Sequence, residues 1–112
     1  MKWIPLETQE QLEEIKGSLK PSLIFKHSTR CSISMMARKR FELDWDALPS
    51  DTNLYFLDLL RYRELSNSVA DIYNVFHQSP QILLIKDGEC IYEASHGEIS
   101  PEEIAEQITV IK

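Results

Sequence analysis

Leu23-Ile24-Phe25-Lys26-His27-Ser28-Thr29-Arg30-Cys31-Ser32-Ile33-Ser34 is the stretch on which the fold turns. Leu23-Ile24-Phe25 is a short apolar run. With Lys26 and His27 behind it, it reads as a buried strand whose C-terminal end emerges into the polar loop Ser28-Thr29-Arg30. From Cys31 to about Leu48 the spacing predicts a helix, with Ile33, Met36, Ala37 and Phe41 on one face and Cys31, Ser34, Met35 and Arg38 near another. A cysteine therefore stands at the start of a helix fed by a strand.

Upstream, Thr8 and Gln11 have the spacing of a capping box. Leu12, Ile15 and Leu19 recur at helical intervals until Gly17 to Pro21 close the segment. Downstream, Leu54-Tyr55-Phe56-Leu57 has the continuous apolar character of a strand covered on both faces, the parallel partner of the first. Val69, Ile72, Tyr73 and Phe76 predict a helix over 66–76 with Ser66 as N-cap and Ser79-Pro80 as its stop. Ile82-Leu83-Leu84-Ile85 and Cys90-Ile91-Tyr92 flank Asp87-Gly88, a strong hairpin signal. Ser100-Pro101-Glu102-Glu103 opens a last helix that Ile104, Ile108 and Ile111 would pack down.

This order predicts an α/β fold of thioredoxin-like type. A central mixed sheet has four strands, or five if Trp3-Ile4 adds a short edge strand, with helices on both faces. At 112 residues the expectation is a single domain spanning 1–112. Hydrophobic residues are 43% and charged residues 27%, a globular balance that argues against disorder. No apolar run is long enough to span a bilayer, and Met1–Leu6 lacks the features of a signal peptide, so the expected address is cytoplasmic, with no membrane partner. The net charge of −6 disfavours binding to phosphate backbones, and nucleic acid is not an expected partner.

Cys31 and Cys90 form neither a C-x-x-C pair nor a metal-ligand spacing, so no metal site is expected. A thiol at a helix N-terminus faces unpaired N–H groups and the positive end of the helix dipole, both of which favour the thiolate, the nucleophilic form. Arg30 is adjacent, and Lys26, His27 and Arg38 are close in sequence; Ser28 or Thr29 is the candidate cap. The competing reading is a buried cysteine that fills space. Ser34 stands where a dithiol site would carry its resolving cysteine. Its hydroxyl is expected to donate to the thiolate, but it forms no disulfide, so an outside thiol must resolve any adduct on Cys31. Cys31 and Ser34 are thus the catalytic candidates.

Pro80 begins the strand that leads into the hairpin. In this fold the expectation is a cis Ser79–Pro80 bond that exposes the main chain of Ser79 to a substrate met as an extra strand; the alternative is a trans, helix-stopping proline. Thr29, Arg30, Ser79 and Pro80 are candidate substrate contacts. Arg61, Arg63 and His96 arrive at the same edge and are candidates for holding an anionic low-molecular-weight thiol. Cys90, just past the hairpin turn, is expected roughly 15 Å or more from that edge at about 3.4 Å per residue, too far to pair with Cys31.

Three blocks, His27-Ser28-Thr29-Arg30-Cys31-Ser32-Ile33-Ser34, Arg63-Glu64-Leu65-Ser66-Asn67 and His77-Gln78-Ser79-Pro80-Gln81 through Ala94-Ser95-His96, closely resemble the YtxJ-type monothiol bacilliredoxins. The resemblance implies removal of bacillithiol from mixed disulfides on oxidised, S-thiolated proteins, with Cys31 attacking. The small thiol serves as co-substrate, no cofactor is tightly bound, and a second thiol or a reductase regenerates the site. Two positions depart from the family pattern: Ser32 stands where relatives often carry Pro, and Gly97 where a bulky aromatic is usual. Two other readings compete, a non-catalytic thioredoxin-like binding module and a redox-stress adaptor whose cysteine is capped without turnover.

Overall fold

The first helix begins as a capping box: the Gln11 N–H donates to Thr8 Oγ1 at 3.2 Å, and Gln11 Oε1 accepts from the Thr8 N–H at 3.1 Å. In the computed structural model, which describes residues 1–111, the elements run β1 (Ile4–Pro5), α1 (Gln9–Gly17), β2 (Ser22–His27), α2 (Ser32–Asp44), β3 (Asn53–Asp58), α3 (Arg63–Tyr73), β4 (Gln81–Lys86), β5 (Glu89–Ser95) and α4 (Pro101–Ile111). Short 3₁₀ turns cover Trp45–Ala47 and His96–Glu98.

The five strands form one mixed sheet in the order β1-β3-β2-β4-β5. β2 and β3 are parallel, Ser22 opposite Asn53 through His27 opposite Asp58, and β4 runs antiparallel to β2 with Gln81 opposite Lys26. β1 pairs with β3, so the fifth strand is present. Between β4 and β5 the chain turns at Asp87 (φ 54°) and Gly88 (φ 78°), two successive positive φ values that give the tight hairpin its type I′ shape.

Alternation along each strand divides the core in two. Leu23 and Phe25, Leu54, Ile82 and Leu84 face Ala37 and Phe41 of α2 and Ile104 and Ile108 of α4. On the opposite face, Ile24, Tyr55, Leu57, Leu83 and Ile85 meet Leu12 and Ile15 of α1 and Leu65, Val69 and Tyr73 of α3. Trp3 wedges into the first cluster, its ring 5.5 Å from those of Phe25 and Phe41 and 5.6 Å from Phe56; such aromatic pairs add about 0.5–1.5 kcal/mol each beyond burial. The expected packing of Ile111 falls outside the described residues at side-chain level. No helix among the described residues is long and apolar enough to cross a membrane.

Several expectations need correction. α2 ends at Asp44 and a 3₁₀ turn completes the segment. Its inward face is Ser34, Ala37 and Phe41, whereas Ile33 and Met36 are 61% and 66% exposed: a small hydroxyl takes the place of an apolar residue against the sheet. Leu19 and Phe76 are exposed, not core. α3 starts at Arg63, because Asp58 Oδ1 accepts from the Leu60 N–H at 3.2 Å and organises the turn before it, leaving Ser66 buried in the first turns instead of capping. Asn74, in the left-handed conformation (φ 52°), closes that helix at Tyr73, well before Pro80.

Candidate functional site

The end of β2 delivers the chain into residues 28–30 and then onto α2. Cys31 occupies the N-cap position with extended dihedrals (φ −106°, ψ 117°), and its carbonyl accepts the first helical bond, from the Met35 N–H at 3.0 Å. It is half-buried and its thiol is free. No side chain caps the helix, so neither Ser28 nor Thr29 has the expected role: the Ser28 carbonyl accepts from the Cys31 N–H at 3.2 Å instead. The first-turn amides, beginning with that of Ser32, thus lie open to an anion at position 31.

Ser34 does not serve the sulfur in the expected way. Fully buried, its Oγ accepts from the Ser28 N–H at 3.1 Å and lies 2.6 Å from His27 Nδ1; no hydrogen bond joins it to Cys31 among the described residues. With that oxygen already accepting from Ser28, both groups are satisfied when the hydroxyl proton goes to Nδ1 and the neutral ring carries its own proton on Nε2. The neutral form is favoured, since burial and then the Arg38 guanidinium hold His27 below the usual histidine value, against smaller opposing effects of Asp58 and Ser34. Ser34 and His27 together pin the loop that presents Cys31.

Lys26 and His27 leave opposite faces of the sheet, which removes Lys26 from the group of cations expected near the sulfur. Its side chain is 0% exposed on the α3 side, where Nζ donates to the Ser66 carbonyl at 3.2 Å and lies 3.2 Å from His77 Nδ1. Burial pushes the ammonium down to about 8. Burial, followed by the cations of Lys26 and Arg63, holds His77 below its ordinary value.

His77 belongs to the loop that ends in Ser79–Pro80, a cis peptide bond. Because Gln81 lies opposite Lys26, Pro80 enters the sheet beside the end of β2, and its carbonyl accepts from the His96 N–H at 3.0 Å. Buried Gln81 staples the loop: its Nε2 donates to the Phe76 carbonyl at 3.0 Å, and its Oε1 accepts from the Gln78 N–H at 3.3 Å. Pro80 is buried, and the Ser79 hydroxyl is buried without a partner among the described residues.

The remaining expected residues separate into groups. Thr29, Arg30 and Arg61 come together with Asp58 and Leu60 around a surface depression of about 390 Å³. Arg63 lines a neighbouring cleft with Arg61, Tyr62 and Glu7. His96 lies apart from them, with Phe76, Gln78 and Gly97 around a cleft of about 410 Å³. A Cβ at Gly97 would meet nothing within 4 Å, so the glycine leaves that cleft's edge open. Cys90 donates to the Tyr92 carbonyl at 3.4 Å in the hairpin, and burial pushes its thiol up to about 11.

Sequence reading missed the buried contacts of His27, Lys26, His77 and Gln81. The period-2 alternation of β2 was the available signal, since it sends Lys26 and His27 to opposite faces. Among the described residues no cluster of three or more His, Cys, Asp or Glu could hold a metal ion.

Residues 4–104 match the family model for "Monothiol bacilliredoxin BrxC". Among solved structures, the chain is 31% identical to a candidate oxidoreductase with a thioredoxin fold, covering 96% of this chain and 93% of that one with a TM-score of 0.82. Thioredoxin from Trypanosoma brucei brucei superposes with a TM-score of 0.76 at 10% identity, covering 98% and 90% of the two chains. Thioredoxin from Malassezia sympodialis gives 0.73 at 17% identity, with the same coverage of 98% and 90%. These two distant likenesses establish the fold alone.

Proposed function

The chain belongs to the monothiol bacilliredoxin family, and from that premise we propose that it is a thiol-disulfide oxidoreductase removing bacillithiol, or a similar small thiol, from S-thiolated proteins through Cys31. The observation that carries this reading is a free, half-buried thiol at the uncapped N-terminus of α2, at the end of the strand that pairs with the one Ser79–Pro80 opens. The uncapped first-turn amides adjoin position 31, and Arg30 adds a cation at the adjacent position.

In the proposed cycle the Cys31 thiolate attacks the small thiol's sulfur in a protein mixed disulfide. A bond forms between Cys31 and that sulfur as the original S–S bond breaks, and the protein leaves as a thiolate that takes a proton from solvent. A second small thiol, as thiolate, then attacks the adduct, releasing the symmetrical disulfide and Cys31; a reductase serves equally. Cys90, in the hairpin with a thiol held protonated, takes no part. Ser79 and Pro80 align the protein substrate at the N-terminal end of β4. Thr29, Arg30 and Arg61 line the depression next to the 28–30 loop and contact the mixed disulfide there, with Arg63 and His96 at the periphery. Ser34 acts by holding His27 and Ser28, not by touching the sulfur.

Intact mass after parallel exposure to oxidised bacillithiol, oxidised glutathione and oxidised coenzyme A tests the assignment. The expected result is one adduct, on Cys31, formed fastest with bacillithiol. Equal rates for all three would remove the substrate assignment, and no adduct would remove the mechanism.

A further inference from the structure

Thr29 separates two clefts. One is the Arg30–Arg61 depression described above; the other, of about 240 Å³, opens on the opposite side between the 28–30 loop and α2, lined by His27, Thr29, Met35, Arg38, Lys39 and Glu42. In a chain of net charge −6 this second cleft sets two cations against one carboxylate. That carboxylate is already engaged: Glu42 Oε2 accepts from Trp3 Nε1 at 2.6 Å and from Arg38 Nε at 3.3 Å.

Arg38 is held in place before any ligand arrives. Its guanidinium carbon lies 4.5 Å from the centre of the Phe56 ring, and Nε is fixed on Glu42, so both terminal nitrogens are left without partners among the described residues. A guanidinium fork fixed in this way matches a carboxylate, with little side-chain entropy left to lose on binding. His27 forms part of the wall although it is only 2% exposed, and with Nδ1 taken by Ser34 its Nε2 has no partner among the described residues. Nε2 is not among the buried atoms left unpaired, so it opens onto the cleft and is the ring nitrogen available to an acceptor there.

A defined length of helix separates Cys31 from the cation in the cleft. Arg38 follows Cys31 by seven residues, two helical turns on the same face and about 10 Å along the axis at 1.5 Å per residue, with Met35 between them. We propose that this cleft is the subsite for the carboxylate-bearing end of the small thiol while its sulfur is bonded to Cys31, with Arg38 and Lys39 as the cationic contacts and His27 Nε2 and Thr29 as hydrogen-bond partners. The ligand class is a thiol whose carboxylates lie two helical turns, roughly 10 Å, or less from its sulfur, passing over Met35. This rests on Cys31 being the attacking group, and it places the anion-binding centre on α2 and not on Arg61 or Arg63.

The test is the ratio of two rates of adduct formation on Cys31: with oxidised bacillithiol, which carries carboxylates, and with 2-hydroxyethyl disulfide, which has the same reactive bond and no charge. Lys39→Glu changes an exposed position and Arg38→Gln removes the fork. Loss of one charge-assisted contact lowers the ratio by about tenfold. Each substitution is expected to have that effect, and high salt is expected to shrink the ratio in the unmodified protein. An unchanged ratio in Lys39→Glu would overturn the subsite, as would a loss seen only in Arg61→Gln. Failure of Cys31 to react with either disulfide would instead bring down the reading of the cysteine beneath it.

Discussion

Ser34→Ala removes one oxygen that a buried imidazole and a part-buried backbone N–H share. The Ser28 N–H loses its acceptor at 3.1 Å and His27 Nδ1 loses a partner at 2.6 Å, in a place closed to solvent. A net hydrogen bond is worth about 1 kcal/mol, and a buried group left unpaired costs about 1–3 kcal/mol. Alanine's better helix propensity returns no more than about 0.5 kcal/mol. The sum is a loss of about 1.5–3.5 kcal/mol, which for a chain of this size lowers Tm by about 6–14 °C. Urea unfolding monitored by tryptophan fluorescence, together with calorimetry, reads the loss directly. Activity per folded molecule, measured well below the new midpoint, should keep its substrate preference, because Ser34 supports the loop and does not contact the sulfur. A variant of native stability whose rate of attack nevertheless collapsed would refute this reasoning and return Ser34 to the role first expected of it.

Three more outcomes follow from the buried titrating groups. Lys26 is neutralised in the folded chain at about 8 but retains its proton to about 10.5 when unfolded, so stability rises with pH across that window. Compared with Lys26→Met at each pH, which cancels the shared tyrosines, the unmodified protein should gain up to about 3 kcal/mol between pH 8 and 10.5; a flat difference would mean that the ammonium is not desolvated. His27 and His77 are both held below their ordinary value, so below pH 6.5 the unfolded chain binds protons that the folded chain refuses. Urea midpoints should fall from pH 7.5 to 5.5, and His77→Gln should flatten the slope; an unaltered slope would exclude His77 as a contributor. Burial holds the Cys90 thiol protonated to about 11, so iodoacetamide at pH 8 should label Cys31 and leave Cys90 unmodified until denaturant is added, which peptide mapping checks.

The sequence reading succeeded where a local signal had one structural solution. Thr8 with Gln11 capped a helix, Asp87-Gly88 turned a hairpin, and the apolar runs at 23–25, 54–57 and 82–85 became the central strands. Those features were enough for the five-stranded arrangement with helices on both faces, and they put Cys31 at a helix start. Local signals misled where tertiary contacts outweighed them. Ile33 and Met36 resemble core residues by spacing, yet buried Ser34 took the inward face because His27 and Ser28 needed its oxygen. Ser66 resembles an N-cap, but the Asp58 turn started α3 three residues earlier and left Ser66 inside, its carbonyl accepting from Lys26. The lysine's partner, His77, lies 51 residues away, and no periodicity links the two. Arg38 was read as one more nearby charge, whereas its fixed position over Phe56 depends on a strand far along the chain.

The most direct measurement mixes the protein with a bacillithiol-capped partner protein, with no other thiol present, and follows both intact masses over time. The account predicts that the partner loses one small thiol as this chain gains it on Cys31, in equal amounts, and that Cys31→Ser gains nothing and leaves the partner capped. Uncapping at full rate by Cys31→Ser, or transfer that ends on Cys90, would contradict it.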